Sequence, residues 1–233
     1  MSNREEVYLI RKISVEFYKV IVKQAESFRI FRRLHLIAGL LYLKGVMPYM
    51  MRLISRIYYW ITGWKLKGRL PDDIRKCIIV AAPHTSNYDF GYSRAAFYIM
   101  KREVRYLAKQ ELLDSFGGFI FRYTGAIGVD RKNRKDMVKH MVDLFNRFDD
   151  MVIMLSPEGT RELNNKWKTG FYHAALEAKV PIVLSYLDYK HKIANVGFSF
   201  HPTGDFEKDM EQVKEFYQGI TPRNPNNFVL NIC

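Results

Sequence analysis

Cysteine is nearly absent from this chain, with only Cys77 and Cys233 among 233 residues. Two cysteines cannot build a disulfide scaffold or a cysteine-rich zinc site. Histidine supplies no metal set either: His35, His140, His191 and His201 have no partner at metal-ligand spacing, and His173 falls within a helical pattern. No phosphate-cradling P-loop and no dinucleotide fingerprint is present. Long apolar runs are missing as well. A membrane-spanning helix needs about 20 predominantly apolar residues, and Lys44, Arg52 and Arg56 interrupt every candidate window. No signal-peptide pattern opens the chain, because charges are scattered through Met1–Arg33, so a reducing cytoplasmic setting is expected. Acidic residues are scarce: 24 Asp and Glu face 37 Lys and Arg, a formal charge of +13.

What is present is ample apolar surface. Hydrophobic residues make up 48% and aromatics 15%, which excludes disorder and low-complexity classes. The basic excess is local. Residues 1–70 hold 14 Lys and Arg against 4 Asp and Glu, whereas residues 71–233 hold 23 against 20. The basic segment is also rich in Leu, Ile, Met and Tyr, the composition of helices lying on an anionic membrane surface. A nucleic-acid reader would carry its charge on a polar face without such apolar runs, and no nucleic-acid partner is expected.

Apolar residues recur at helical spacing through Tyr8-Leu9-Ile10, Ile13, Phe17, Val20-Ile21 and Phe28. Leu34 to Leu43 carries no formal charge. Gly45-Val46-Met47-Pro48 breaks the pattern, and a second basic amphipathic helix follows through Met51, Ile54 and Tyr58 to Ile61. Residues 1–63 therefore read as an amphipathic helical pair, either dipping into one leaflet or packed as a hairpin on a core.

Residues 64–233 change rhythm to short apolar runs alternating with helices, without an internal repeat. Strands are expected at Cys77–Ala82, Val104–Ala108, Ala126–Val129, Met151–Leu155, Val180–Leu187 and Val196–Phe200. Helices are expected at Asp89–Met100, Lys135–Phe148, Thr169–Ala178 and Asp205–Gln218, and Thr221–Cys233 reads as irregular. This alternation predicts an α/β fold: a mixed, largely parallel sheet flanked by helices.

Three segments bring polar residues to the ends of predicted strands, where ligand sites of open α/β sheets lie. The first is Pro83-His84-Thr85-Ser86-Asn87-Tyr88-Asp89. On one helix, residues five apart point about 140° away from each other, so His84 and Asp89 face each other only if the chain turns between them. Ser86 and Asn87 are good N-caps, which would leave His84 in the turn and Asp89 in the first helical turn. Asp89 could then orient the imidazole and leave its other nitrogen free as a general base; the same residues also suit a plain helix cap with a hydrogen-bonded histidine.

The second loop is Ser156-Pro157-Glu158-Gly159-Thr160-Arg161, a tight turn ending in a guanidinium suited to a phosphate headgroup. The third, Gly125-Ala126-Ile127-Gly128-Val129-Asp130-Arg131, puts Arg131 at the end of the Ala126–Val129 strand, and Lys109 follows the Val104–Ala108 strand. A base among cations points to a phosphate-bearing alcohol as substrate. Gly91-Tyr92-Ser93-Arg94-Ala95 misses the nucleophile-elbow pattern by one residue and sits inside a predicted helix.

In combination, His84–Asp89, Gly125–Arg131, Ser156–Arg161 and Val180–Leu184 resemble, in order and interval, the lysophospholipid (1-acylglycerol-3-phosphate) acyltransferase superfamily. The resemblance covers about Lys65 to Gln218. Ser156 stands where members often have Phe, and Leu184-Ser185 where a second Pro is common. Together with Lys166–Tyr172 and Tyr186–Lys190, these departures look like a bacterial side branch whose acceptor is not defined.

The resemblance implies acyl transfer from acyl-CoA or acyl carrier protein to a lysolipid hydroxyl. His84 would be the base and Asp89 its orienting partner. Lys109, Arg131 and Arg161 would hold the acceptor phosphate, with Glu158, Gly159 and Thr160 shaping the loop. No metal or other cofactor is expected. The alternatives are a different lyso-acceptor, such as an amino-acid lipid, or a non-catalytic lipid binder. The expected location is the cytoplasmic face of the inner membrane, peripheral or monotopic, and no oligomeric state follows from the sequence.

The charge distribution predicts binding to anionic vesicles in co-sedimentation, weakened by deleting Met1–Gly63. Each Lys or Arg near the surface contributes about 1 kcal/mol, so this part falls with salt, whereas buried Leu and Tyr leave a salt-resistant part. Equal binding to neutral and anionic vesicles would refute the electrostatic component.

Overall fold

A computed structural model describes residues 46–129 and 134–232. The chain from Met51 onward forms one compact unit; of the preceding unit, only residues 46–50 are described, and they are helical. Within the compact unit, helix α1 covers residues 51–62. The expected first amphipathic helix, Tyr8 to Phe28, and the Leu34–Leu43 run lie outside the described residues.

The elements that follow are β1 (Lys65–Gly68), β2 (Lys76–Ala81), α2 (Tyr88–Met100), β3 (Arg105–Lys109), α3 (Gln110–Asp114) and α4 (Gly118–Tyr123). Then come β4 (Ala126–Val129), α5 (Arg134–Arg147), β5 (Met151–Leu155), α6 (Gly170–Ala178), β6 (Ile182–Asp188), β7 (Ile193–Phe200) and α7 (Phe206–Tyr217). They form a seven-stranded sheet in the order β1-β7-β6-β2-β5-β3-β4. Strands β4, β3, β5, β2 and β6 are mutually parallel; β7 runs antiparallel to β6, and β1 parallel to β7. The α/β sheet expected from the sequence is present.

Side chains alternate across the sheet as strand geometry dictates. Ile78, Val80, Ile153, Ile182 and Leu184 enter one apolar cluster with residues of α5, α6 and α7. Cys77, Ile79, Val152 and Val183 enter the other with α2 and Tyr59 of α1. Central strand β2 is covered on both faces, which explains its unbroken apolar run.

Three features depart from the sequence reading. Strand β1 was not expected: Lys-Leu-Lys-Gly is an edge strand with only Leu66 packed inward, too short for a periodic signal. The β3–β4 crossover contains α3 and α4, where Phe116, Phe119, Ile120 and Tyr123 remain exposed, so no buried stripe marks a helix. The tail contains a 3₁₀ turn at Pro225–Asn227 and packs on the domain.

The compact unit also begins ahead of the expected Gly63 boundary. Tyr59 is buried and donates its hydroxyl to the Tyr92 carbonyl at 2.8 Å, while Tyr58 and Trp64 stack on Tyr92. A truncation that spares this core ends at Met50 rather than at Gly63.

Candidate active site

Parallel strands bring their carboxyl ends to one edge of the sheet, and β2, β5 and β6 are neighbours there. The loops that follow these strands build the site. After β2 the chain passes a cis Ala82–Pro83 peptide and turns through His84–Asn87 into α2. Across that turn His84 Nδ1 lies 3.0 Å from Asp89 Oδ2. The same oxygen accepts the backbone N–H groups of Thr85 and Ser86, each at 3.0 Å. A carboxylate accepts and does not donate, so Nδ1 carries the proton. Nε2 makes no hydrogen bond among the described residues, and the His84 side chain is 31% exposed against 6% for Asp89.

The cap of α2 differs from the expectation. Asn87 occupies the cap position without a side-chain bond, and the Ser86 hydroxyl only accepts from Tyr88 N at 3.2 Å. Asp89 reaches backward to the Thr85 and Ser86 N–H groups instead, so one carboxylate orders the loop and orients the imidazole.

Glu158, from the loop after β5, accepts the His84 backbone N–H on Oε1 at 3.1 Å. Its other oxygen is buried without a partner among the described residues. Burial chiefly pushes this carboxyl up to about 7, against hydrogen bonds from its own and the His84 backbone. Ser156 donates to the Ala81 carbonyl at 2.9 Å and so ties the two loops at the strand ends. Gly159 is required where it stands: its φ is +70°, and a Cβ would lie 2.3 Å from Lys168 Nζ. Thr160 Oγ1 accepts from Glu162 N within the loop. Arg161 is exposed on the rim, its carbonyl held by the Asn227 side chain at 3.2 Å.

Lys109 ends β3 at the same edge, exposed and two strands from β2. Arg131 lies outside the described residues. The Val180–Leu184 block opens β6, where the Pro181 carbonyl accepts from Ile78 N and Ile182 and Leu184 fill the core; its place is structural. A cavity lined by Lys101, Arg102, Arg105 and Phe148 sits where β3 and β5 begin, at the opposite end of the sheet.

Two participants were not read from the sequence. Tyr189, in the β6–β7 turn, donates its hydroxyl to Asp89 Oδ1 at 2.6 Å. Burial and this bond to a carboxylate hold its phenol well above the ordinary value. Asp188 shapes the turn by accepting the Lys190 and His191 N–H groups and facing His191 Nδ1 at 2.6 Å. Asn224, from the tail, donates its backbone N–H to Thr85 Oγ1 at 3.1 Å and its side-chain amide to the Thr85 carbonyl at 2.8 Å. The Tyr186–Lys190 departure and the Asn-rich tail were visible in sequence, but neither contact was.

Fold and site together define an α/β protein with an oriented, accessible imidazole at its strand ends. The chain belongs to the Acyltransferase family, whose sequence profile matches residues 66–185. It is 33% identical over 132 residues to a 1-acyl-sn-glycerol-3-phosphate acyltransferase of Haemophilus influenzae, a match covering 54% of each chain. It is 32% identical over 128 residues to the enzyme of that name from Escherichia coli, covering 52% of this chain and 51% of that one. The chain thus spans about half the length of the curated relatives it matches. The crystal structure of the 1-acyl-sn-glycerophosphate acyltransferase from Thermotoga maritima shares the fold, with a TM-score of 0.52 at 17% identity, over 75% of this chain and 81% of that one.

Glu158 generates a pH prediction. Its folded pKa, about 7, exceeds the ordinary glutamate value, so the folded state binds the extra proton. Its contribution is full below the unfolded pKa and is lost as pH rises through about 7. Wild-type stability should fall over pH 5 to 8 by a component of at most about 3 kcal/mol, and Glu158→Gln should lack it. Thermal midpoints across pH measure this; parallel profiles for the two proteins would refute it.

Proposed function

We propose that this protein transfers a fatty acyl group from a thioester, acyl-CoA or acyl carrier protein, to the free hydroxyl of 1-acylglycerol-3-phosphate. The supporting observation is the imidazole of His84, held through Nδ1 by Asp89 with Nε2 open at the carboxyl edge of the sheet. Nε2 takes the hydroxyl proton as the oxygen attacks the thioester carbonyl. The tetrahedral adduct then expels the thiolate, which takes the proton back from the imidazolium. One O–H and one C–S bond are broken, one ester C–O and one S–H bond are formed, and no acyl-enzyme is needed. Asp89 keeps the tautomer and balances the transient positive charge. Tyr189 positions Asp89 through its second oxygen.

The acceptor phosphate is held by Arg161, Lys109 and Arg131, a guanidinium offering a bidentate match to phosphate. Glu158 fixes the His84 main chain, and Gly159 and Thr160 shape the loop that presents Arg161.

The reaction takes place at a membrane surface, on the cytoplasmic face. Among the described residues no helix is long and apolar enough to cross a bilayer. Leu53, Ile54, Ile57, Trp60 and Ile61 of α1 are nevertheless exposed, on a helix that also carries Arg52 and Arg56. Exposed apolar side chains beside cations are the surface expected of a helix seated in lipid headgroups.

Thiol release from a thioester donor with 1-acylglycerol-3-phosphate tests the proposal; no release with any lysolipid would overturn it. His84→Ala should lower kcat by roughly 10²–10⁴-fold. Asp89→Asn should be severely impaired through loss of the tautomer. Tyr189→Phe should be milder and shift the pH profile of kcat/KM, since it leaves Asp89 in place with one donor fewer. Near-wild-type turnover by His84→Ala would remove the pair from the mechanism.

Arg161→Ala should chiefly raise the acceptor KM, because its contact is made before and after transfer alike. An unchanged acceptor KM would move phosphate recognition to Lys109 or Arg131.

A further inference from the structure

The segment that follows α7 lies beyond the residues matched by the family profile, yet it is built into the site. The Thr221 carbonyl accepts the Tyr189 backbone N–H at 2.9 Å. Asn224 clasps Thr85, the residue after His84, through two hydrogen bonds, and Asn227 holds the Arg161 main chain. A few residues of tail thus touch all three loops that carry the candidate machinery. These bonds go to main-chain atoms or to a buried hydroxyl, so they place the tail in a defined position over the strand ends.

Arg223 sits between those anchors. Its guanidinium lies 3.9 Å from the centroid of the Tyr88 ring and 5.8 Å from that of Tyr189. Tyr88 precedes Asp89, and Tyr189 donates to Asp89 Oδ1, so Arg223 stands one side chain away from the acid of the His–Asp pair. It is exposed and has no carboxylate partner among the described residues. A guanidinium lying over an aromatic ring is held there by cation–π attraction, and its N–H groups match a phosphate.

We propose that Arg223 binds the phosphate of a bound substrate, completing from the tail the cationic rim that Arg161 supplies from the loop after β5. The ligand class is a phosphate ester: the headgroup of the lyso-acceptor in the first place, the phosphates of the thioester donor in the second. This proposal rests on the acyltransferase reading above. It extends that site to a segment outside the matched family region. It also gives the tail's asparagine anchors a purpose, since a cation meant for a small anion must be held in place.

Arg223→Gln and Arg223→Lys in the full-length protein test it, because the side chain is exposed and its loss opens no core. With 1-oleoylglycerol-3-phosphate as acceptor, Arg223→Gln should raise the acceptor KM about tenfold, as expected for a lost charge-assisted bond. Arg223→Lys should fall in between, keeping the charge without the planar fork. In equilibrium binding without donor, read by intrinsic fluorescence, Arg223→Gln should weaken 1-oleoylglycerol-3-phosphate and leave 1-oleoylglycerol unaffected. A rise confined to the donor KM would assign the guanidinium to the donor's phosphates. Unchanged KM values for both substrates, or equal weakening of both lipids, would overturn the anion site. Absence of wild-type turnover would instead count against the acyltransferase reading, while the comparison of the two lipids would still decide whether Arg223 recognises phosphate.

Discussion

The carboxylate of Asp89 is the group around which the site is arranged. It is nearly inaccessible, with 6% of the side chain exposed, and a charge in that position requires a full set of donors. It has four: the His84 imidazole and the Thr85 and Ser86 N–H groups on one oxygen, and the Tyr189 hydroxyl on the other. The two N–H groups close the turn that carries His84, and the imidazole bond sets its tautomer. The phenol brings in the turn after β6, the strand next to β2. Satisfying one buried charge therefore determines where the imidazole points.

The sheet order makes this convergence possible. Strand β2 lies between β5 and β6, so the loops bearing His84, Glu158 and Tyr189 emerge side by side. Glu158 is 74 residues from His84, and Tyr189 is 100 residues from Asp89. Closing such separations requires parallel strands whose carboxyl ends share an edge, with helices returning the chain to the other end. Reversal of β7 spares β6 a crossover and leaves a short turn, in which Asp188 accepts two backbone N–H groups and so aims Tyr189 inward.

The same aromatic neighbourhood joins the site to α1. Trp64 stacks on Tyr92 with centroids 4.2 Å apart and meets Tyr189 edge-on at 5.0 Å, while Tyr58 stacks on Tyr92 from the helix. The exposed apolar side chains of α1 thus belong to a helix whose other face is packed against rings that border the Asp89 partner. The helix with the exposed apolar face and the residue that holds the acid share one aromatic cluster, whose rings interlock at these separations.

The chain's own order of residues determined the alternation of strands and helices, the membrane-like composition of its first segment, and the His84–Asp89 and Ser156–Arg161 loops. Those features are local: strand and helix periods, turn residues and short motif spacings act within a few residues. What the sequence left undecided is equally specific. Strand β1 has too few inward residues to signal itself, and α3 and α4 show their apolar side chains to solvent. Asn87 occupies the cap position, but its side chain makes no cap bond, and the carboxylate of Asp89 in the first helical turn reaches back to the Thr85 and Ser86 N–H groups. Only the tertiary structure decided that Tyr189 and Asn224 belong to the site. Their partners lie 100 and 139 residues away, and proximity over such distances depends on strand order, a property of the whole packed sheet that no local pattern carries.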